Sequence, residues 1–391
     1  MKSTLLFEAI GGAKEKYLSA SEKVRKPFSR YAGWVACAAC FSIAVICLTL
    51  FRPQSPGEII DPTPTISESL QKINLPSEFN VNGMGYEGYS AYDISEITGS
   101  SPLAPENVPE TMPAFKNKSY NPYMTAYGLT ERELLAVVYD VLDFFDIKIY
   151  DNDFTGIKKH LFTDSNGDPR GFLIPDDTVT RIELTVKFGK IEVTANGTVT
   201  IWFDKAPIIP EEYDINVNPE ETLLYCAEMF AGLLRYEKPV VLGDKTVYDG
   251  AGDPTEQLIN KTYEYANFYF DSDGNLSTVR IFNDLLVAEK LGDYPTITRE
   301  EAQALLLEGI YYSNYIETEF PGEEYIAHVT VAYRGSNLDK TWLPYYKFYV
   351  ELPDKVRDDG KKTYATYYVP AIDQEYLESY PTADIKFEEL S

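Results

Sequence analysis

Apolar and polar positions alternate along this chain in two periods. Three runs, LLAVVYDVLDFF, TLLYCAEMFAGLL and AQALLLEGIYY, space their apolar residues three and four apart, which places a single stripe on one side of a helix. Each run follows a start signal: Thr130-Glu131-Arg132-Glu133, Asn218-Pro219-Glu220-Glu221 and Thr298-Arg299-Glu300-Glu301. The Thr or Asn accepts a bond from a free N–H of the first turn, the Glu three residues on closes a capping box, and Pro219 suits the first helical position. The starts lie 88 and 80 residues apart, a periodicity that predicts three related modules.

The second period is two. In TRIELTVKFGKIEVTANGTVTIWF, Ile182, Leu184, Val186 and Phe188 alternate with polar residues, and Asn196-Gly197 supplies a hairpin turn. YEYANFYFDSDGNLSTVRIF turns at Asp273-Gly274, and TWLPYYKFYVEL pairs with TYATYYVPAI across the charged loop Pro353–Lys362. A helix followed by antiparallel strands, three times over, predicts an α+β fold of three helix-plus-strand modules over 124–215, 216–292 and 293–391. Before them, residues 52–123 are dense in Pro, Gly and Ser; proline blocks helix and ladder alike, so this stretch reads as an extended spacer holding a short ordered piece near Ile66–Phe79.

One run has no period at all. Tyr31–Phe51 is 21 uncharged residues between Arg30 and Arg52, about 32 Å as a helix against a hydrocarbon core of roughly 30 Å. It reads as one transmembrane helix. Residues 1–30 carry seven basic and three acidic side chains, so the positive-inside rule puts this tail in the cytoplasm and the rest outside a bacterial plasma membrane. Cys37, Cys40 and Cys47 fall within the span and Cys226 alone beyond it, which leaves the outer part without an intrachain disulfide.

Composition narrows the chemistry. With 35 Lys and Arg against 61 Asp and Glu the formal net charge is −26, and no basic patch is dense enough to hold a phosphate backbone, so nucleic acid is excluded. His160 and His328 sit in no metal-binding spacing, and there is no nucleophile elbow, phosphate loop or dinucleotide fingerprint. No catalytic residue, metal ligand or cofactor is assigned. Cys226, on the apolar stripe of the second helix run, reads as a buried structural thiol. The loops Asp164–Asp168 and Asp271–Asn275 begin like calcium loops but place Pro175 and Phe282 where the bidentate Glu belongs; hairpin turns demand the same residues.

Two surfaces remain as candidates. Tyr345, Tyr346, Tyr349, Tyr364, Tyr367 and Tyr368 lie on two neighbouring strands, where alternate rings would form a stripe for a peptide or sugar, with core packing as the alternative. Leu5, Leu6, Ala9 and Ile10 recur at helical spacing in the tail and would dock a partner helix, or simply flank the membrane segment on anionic lipid.

The opening LFEAIGGAKEKYLSASEKVRK with WVACAACFSIAVI, and the closing YPTITREEAQALLLEGIYY, VAYRG and WLPYYKFYVELP, resemble uncharacterised single-pass membrane proteins of anaerobic Gram-positive bacteria. The helix opening with EEA before Tyr-rich strands is more distantly similar to PepSY-type modules and to the YycH/YycI group, membrane-anchored regulators of a cell-wall sensor kinase. The resemblance implies extracytoplasmic sensing or regulation and carries over no catalytic residue. The expected function is a membrane-anchored regulator acting by protein–protein contact on a sensor kinase or sigma factor, the alternative a surface module that holds a cell-wall polymer, peptide or cation.

Overall fold

The computed structural model describes residues 70–75, 89–99, 101–120, 127–148, 154–162, 178–313, 320–334, 339–355 and 357–379. All belong to one compact unit, Leu70–Ser391. Among the described residues the chain forms five α-helices and two antiparallel sheets.

Helix α1, Glu131–Phe144, and helix α5, Arg299–Leu307, start where the sequence predicts, each with a complete capping box, Thr130 with Glu133 and Thr298 with Glu301. Helix α2, Pro219–Met229, starts differently. Asn218 makes no capping bond; its side-chain amide donates to the Glu212 carbonyl at 3.4 Å, and Pro219 at the first position fixes the entry. The short α3, Ala231–Leu234, continues from it and ends on Arg235 in the left-handed region at φ 58°. Helix α4, Pro254–Tyr263, is capped by Asp253 with Glu256.

The eight-stranded sheet runs β3 (Phe154–Leu161), β4 (Val179–Val186), β5 (Gly189–Thr194), β6 (Val199–Phe203), β10 (Leu276–Asn283), β9 (Glu264–Phe270), β8 (Thr246–Asp249) and β7 (Pro239–Leu242). Its centre is the pair β6 and β10, with Ile201 opposite Val279. The seven-stranded sheet contains β1 (Tyr89–Ala91), β2 (Thr111–Asn117), β11 (Ala288–Pro295), β12 (Tyr312–Ser313), β13 (Ile326–Arg334), β14 (Thr341–Glu351) and β15 (Lys362–Pro370). Strands β2 and β11 are antiparallel neighbours, with Asn117 opposite Ala288. The whole eight-stranded sheet is therefore nested between two adjacent strands of the seven-stranded one.

This arrangement corrects the expectation of three tandem modules. The strands expected in the first two modules merge into one sheet through β6 and β10, and the third borrows β1 and β2 from the stretch read as a spacer. Pro113 is tolerated in β2 because that strand meets β14 only at Lys116 and Phe115. The carbonyl of Pro113 instead accepts the Tyr333 hydroxyl at 2.8 Å. Ile73 and Leu75, within the ordered piece expected near Ile66–Phe79, are buried against Leu343, Tyr345 and Leu377.

The single membrane span is a second correction. Among the described residues no helix is long and apolar enough to cross a membrane. The longest, α1, has 14 residues, about 21 Å against the roughly 30 Å required. Tyr31–Phe51 lies outside the described residues, so the plasma-membrane placement with a cytoplasmic N-terminus is withdrawn with the span it rested on.

Helix α4 packs on β8 and β9 and meets β13 of the seven-stranded sheet through aromatic rings. Tyr263 at the end of α4 stacks on Trp342 of β14 at 4.7 Å and contacts Tyr333 of β13 at 5.9 Å. All three are buried, so ring area from α4 and from the seven-stranded sheet is removed from water at one place.

Candidate functional site

The six tyrosines expected to offer a stripe are all buried, Tyr349 the most exposed at 8%. The stripe does not exist as a surface, and the reason is that both faces of β14 and β15 are covered. On one face Tyr345 and Tyr368 join the cluster of Ile73, Leu75, Ile372 and Leu377. On the other, Tyr346 donates its hydroxyl to the Ile297 carbonyl at 2.9 Å, and Tyr311 and Phe320 meet Tyr367 edge-on. Even Lys347, between them in sequence, lies over the rings of Tyr89, Tyr349 and Tyr368 at 4.9–5.3 Å. Leu5, Leu6, Ala9 and Ile10 lie outside the described residues, as does the loop Asp164–Asp168.

Asp271–Asn275 is a hairpin turn. The Asp271 carboxylate accepts the backbone N–H groups of Asp273 and Asn275 at 2.9 and 2.8 Å, and the bonds from Asn275 hold its pKa below the usual carboxylate range. Cys226 is fully buried on α2 and burial pushes its thiol up to about 12, which makes it an inert packing group. His160 lies 3.5 Å from both Arg181 Nη2 and Glu183 Oε2. His328 is exposed on β13.

The face best suited to binding is the outer side of the eight-stranded sheet. Period-two alternation sends Ile182, Leu184, Ile191, Val193, Ile201, Phe268 and Val279 inward, all buried. Helices α1, α2 and α3 cover that inner side, with Phe230 at the end of α2 against Phe268 at 6.1 Å. The outer side is polar and aromatic. Its rows follow the register: Lys190 opposite Trp202, Trp202 opposite Thr278 and Thr278 opposite Tyr269 form one, and Glu192, Thr200, Arg280 and Asn267 the next. Glycine makes this close strand packing possible at Gly189, where an added Cβ would stand 2.0 Å from the Trp202 carbonyl oxygen. The hairpin predicted at Asn196-Gly197 joins β5 to β6, with Gly197 at φ 91°.

An open groove of about 470 Å³ runs over these rows, lined by Glu192, Thr194, Thr198, Thr200, Trp202, Tyr269, Thr278 and Arg280. Lys190 sits 4.9 Å over the Trp202 ring and Lys245 5.3 Å over Tyr269, contacts that orient both rings. Glu192 is offset by Arg181 at 3.6 Å and Lys190 at 3.8 Å. The Arg280 guanidinium lies over Phe282 at 4.7 Å. The Thr198 residue is only 2% exposed, yet its hydroxyl has no hydrogen-bond partner.

On the inner side, a cavity of about 330 Å³ is walled by α1, α3 and α4 and holds Arg235, Tyr236, Asp249, Asn260 and Glu264. Burial, reinforced by Asp249, raises the pKa of Glu264. The Asp249 carboxylate is committed to structure, accepting the N–H groups of Glu237, Lys238 and Ala251 at 2.9–3.1 Å. Nearby, burial lifts Asp284 to about 7, with Arg280 opposing the shift and Glu264 adding to it. Among the described residues no group of three or more His, Cys, Asp or Glu side chains is placed to hold a metal ion.

Trp202, Thr198, Tyr269, Thr278 and Arg280 were not singled out by sequence. The signal was present in TANGTVTIW, where alternate outward positions are Thr and Trp instead of the Lys and Glu of an ordinary solvated face. No protein-family model matches the chain, and no curated protein does.

Proposed function

We propose that this chain is a non-catalytic recognition protein that senses or regulates by contact, and that the outer face of the eight-stranded sheet is its contact surface. The observation that carries the reading is the Thr198 hydroxyl, buried and unpartnered in the lining of an open groove. A buried hydroxyl left unpaired costs roughly 1–3 kcal/mol, and a ligand able to bond it recovers that cost. Trp202 and Tyr269 add apolar area with a polar handle, as recognition surfaces do. The reading keeps the sensing or regulatory role implied by the family resemblance and the alternative of a binding module, and moves the surface from the buried tyrosines to this face.

The test is fluorescence quenching on the full chain. The chain has three tryptophans, of which Trp202 is half-buried, Trp342 buried and Trp34 outside the described residues, so the difference between the natural chain and Trp202→Phe isolates the signal of Trp202. Titration with fractionated peptides and polysaccharides is expected to protect Trp202 from an aqueous quencher. Binding that leaves Trp202 as accessible as before, and persists when Thr278→Trp fills the groove, would place recognition elsewhere.

A further inference from the structure

Resting on that reading, we infer that the groove takes an uncharged, hydroxyl-rich polymer, a neutral polysaccharide laid across the strands. Three features point to this chemistry.

The first is the kind of group left open. Among the described residues, the hydroxyls of Thr198, Thr200 and Thr278 and the Trp202 indole N–H line the groove with no hydrogen-bond partner, and the Arg280 guanidinium, which lies over Phe282 and acts on Asp284, makes no hydrogen bond either. Hydroxyls donate and accept, and indole and guanidinium donate. A chain of sugars, with ring oxygens and hydroxyls on every residue, matches such a set at many points. A peptide spends its donors and acceptors along one edge and pairs best with a strand edge, whereas these groups lie on a sheet face.

The second is the aromatic spacing. Trp202 and Tyr269 flank Thr278 on strands β6, β10 and β9, two interstrand steps of about 4.8 Å each. Side chains rooted about 10 Å apart on one row, each with a lysine over one ring face, can each offer the other face to the apolar C–H side of a pyranose, on alternate sugars of an extended chain.

The third is charge. Among the described residues Glu192 and Arg280 are the charged residues that line the groove, and Glu192 is already paired with Arg181 and Lys190; the chain as a whole carries −26. A polyanion would be repelled at long range, and the lysines over Trp202 and Tyr269 already hold the positions a cationic ligand would seek.

Affinity electrophoresis of the full chain tests this, with laminarin, mannan, xylan and hydroxyethylcellulose as neutral probes, polygalacturonate as an anionic one, and acidic and neutral peptides as competitors. At least one neutral polysaccharide is expected to retard the chain equally at low and high salt, since no ion pair is used. Trp202→Ala is expected to weaken binding on the order of tenfold, from lost ring area. Thr198→Val, which keeps shape and removes only the hydroxyl, should weaken it roughly threefold to tenfold. Thr278→Trp guards against a folding artefact: it should block the groove while circular dichroism and melting temperature stay native. Retardation by polygalacturonate or peptide alone, lost in Trp202→Ala, would overturn the ligand class and leave recognition by this face standing. Retardation unchanged in both Trp202→Ala and Thr278→Trp would overturn the face as well. Retardation by none of the neutral polysaccharides would overturn the inference.

Discussion

Thr198 and Asp284 are single residues whose surroundings predict opposite behaviour. The Thr198 hydroxyl is buried without a partner, so Thr198→Val removes a desolvated polar group and keeps the branched shape that fits a strand. Its stability is expected to exceed that of the natural chain by roughly 1–3 kcal/mol, read by denaturant melts. A residue whose removal stabilises while weakening ligand binding is the mark of a functional position. Asp284 has its pKa lifted to about 7 by burial, against an ordinary aspartate near 3.8 in the unfolded chain. Between these values the folded state holds more protons than the unfolded one, so the slope is negative and stability falls as pH rises toward 7. Asp284→Asn removes the dependence. Its advantage in melting temperature should be absent near pH 4, grow up to pH 7 and stay level above, worth at most roughly 4 kcal/mol at about 1.4 kcal/mol per pKa unit.

Among elements, the helix starts divide by what their first residues bond. Thr298 and Asp253 accept the N–H groups of their first turns, Glu301 at 3.2 Å and Thr255 and Glu256 at 2.8 and 3.0 Å, whereas Asn218 caps nothing. Thr298→Ala and Asp253→Ala are each expected to cost about 1 kcal/mol, and Asn218→Ala a few tenths, in urea melts. The starts of α1 and α5 were legible because a capping box is local, complete within four residues. Asp253–Glu256 carries the same signature, but the run after it, QLINKTY, is too short and polar to show a helical stripe. The strands of the three Tyr- and Val-rich runs were legible from period two and from turns such as Asn196-Gly197. The groove residues were not, because alternation tells which residues share a face and is silent on which face a helix will cover. For the same reason the sequence left Tyr345 and Tyr368 between an exposed stripe and core packing; the structure gives core packing, because β14 and β15 meet neighbours on both sides and both faces.

At the scale of the whole molecule, the spacing of helix starts is misleading. Intervals of 88 and 80 residues suggest repeats laid end to end, but strand partners such as Trp202 with Thr278 and Asn117 with Ala288 are chosen by contacts that no local period records. The joint is equally non-local, resting on Tyr263 at the end of helix α4 against Trp342 and Tyr333 of the seven-stranded sheet. Tyr263→Ala should cost roughly 3–5 kcal/mol, and because the cavity opens at the joint, amide exchange should quicken in β13 as well as in α4.

The pairing of β2 with β11 also sets the order in which the chain can assemble on the ribosome. Strand β2 emerges early but cannot find its neighbour until residues 118–287 have been made. While those residues are unfolded, bringing Asn117 to Ala288 means closing a very long loop; once they have folded, their ends already stand side by side and most of that entropy has been spent. The eight-stranded sheet is thus expected to form first and to act as the template on which β2 and β11 meet. Until then β2 stays unpaired, and β1 waits longer still for β15, the interval in which the nascent chain is most open to aggregation.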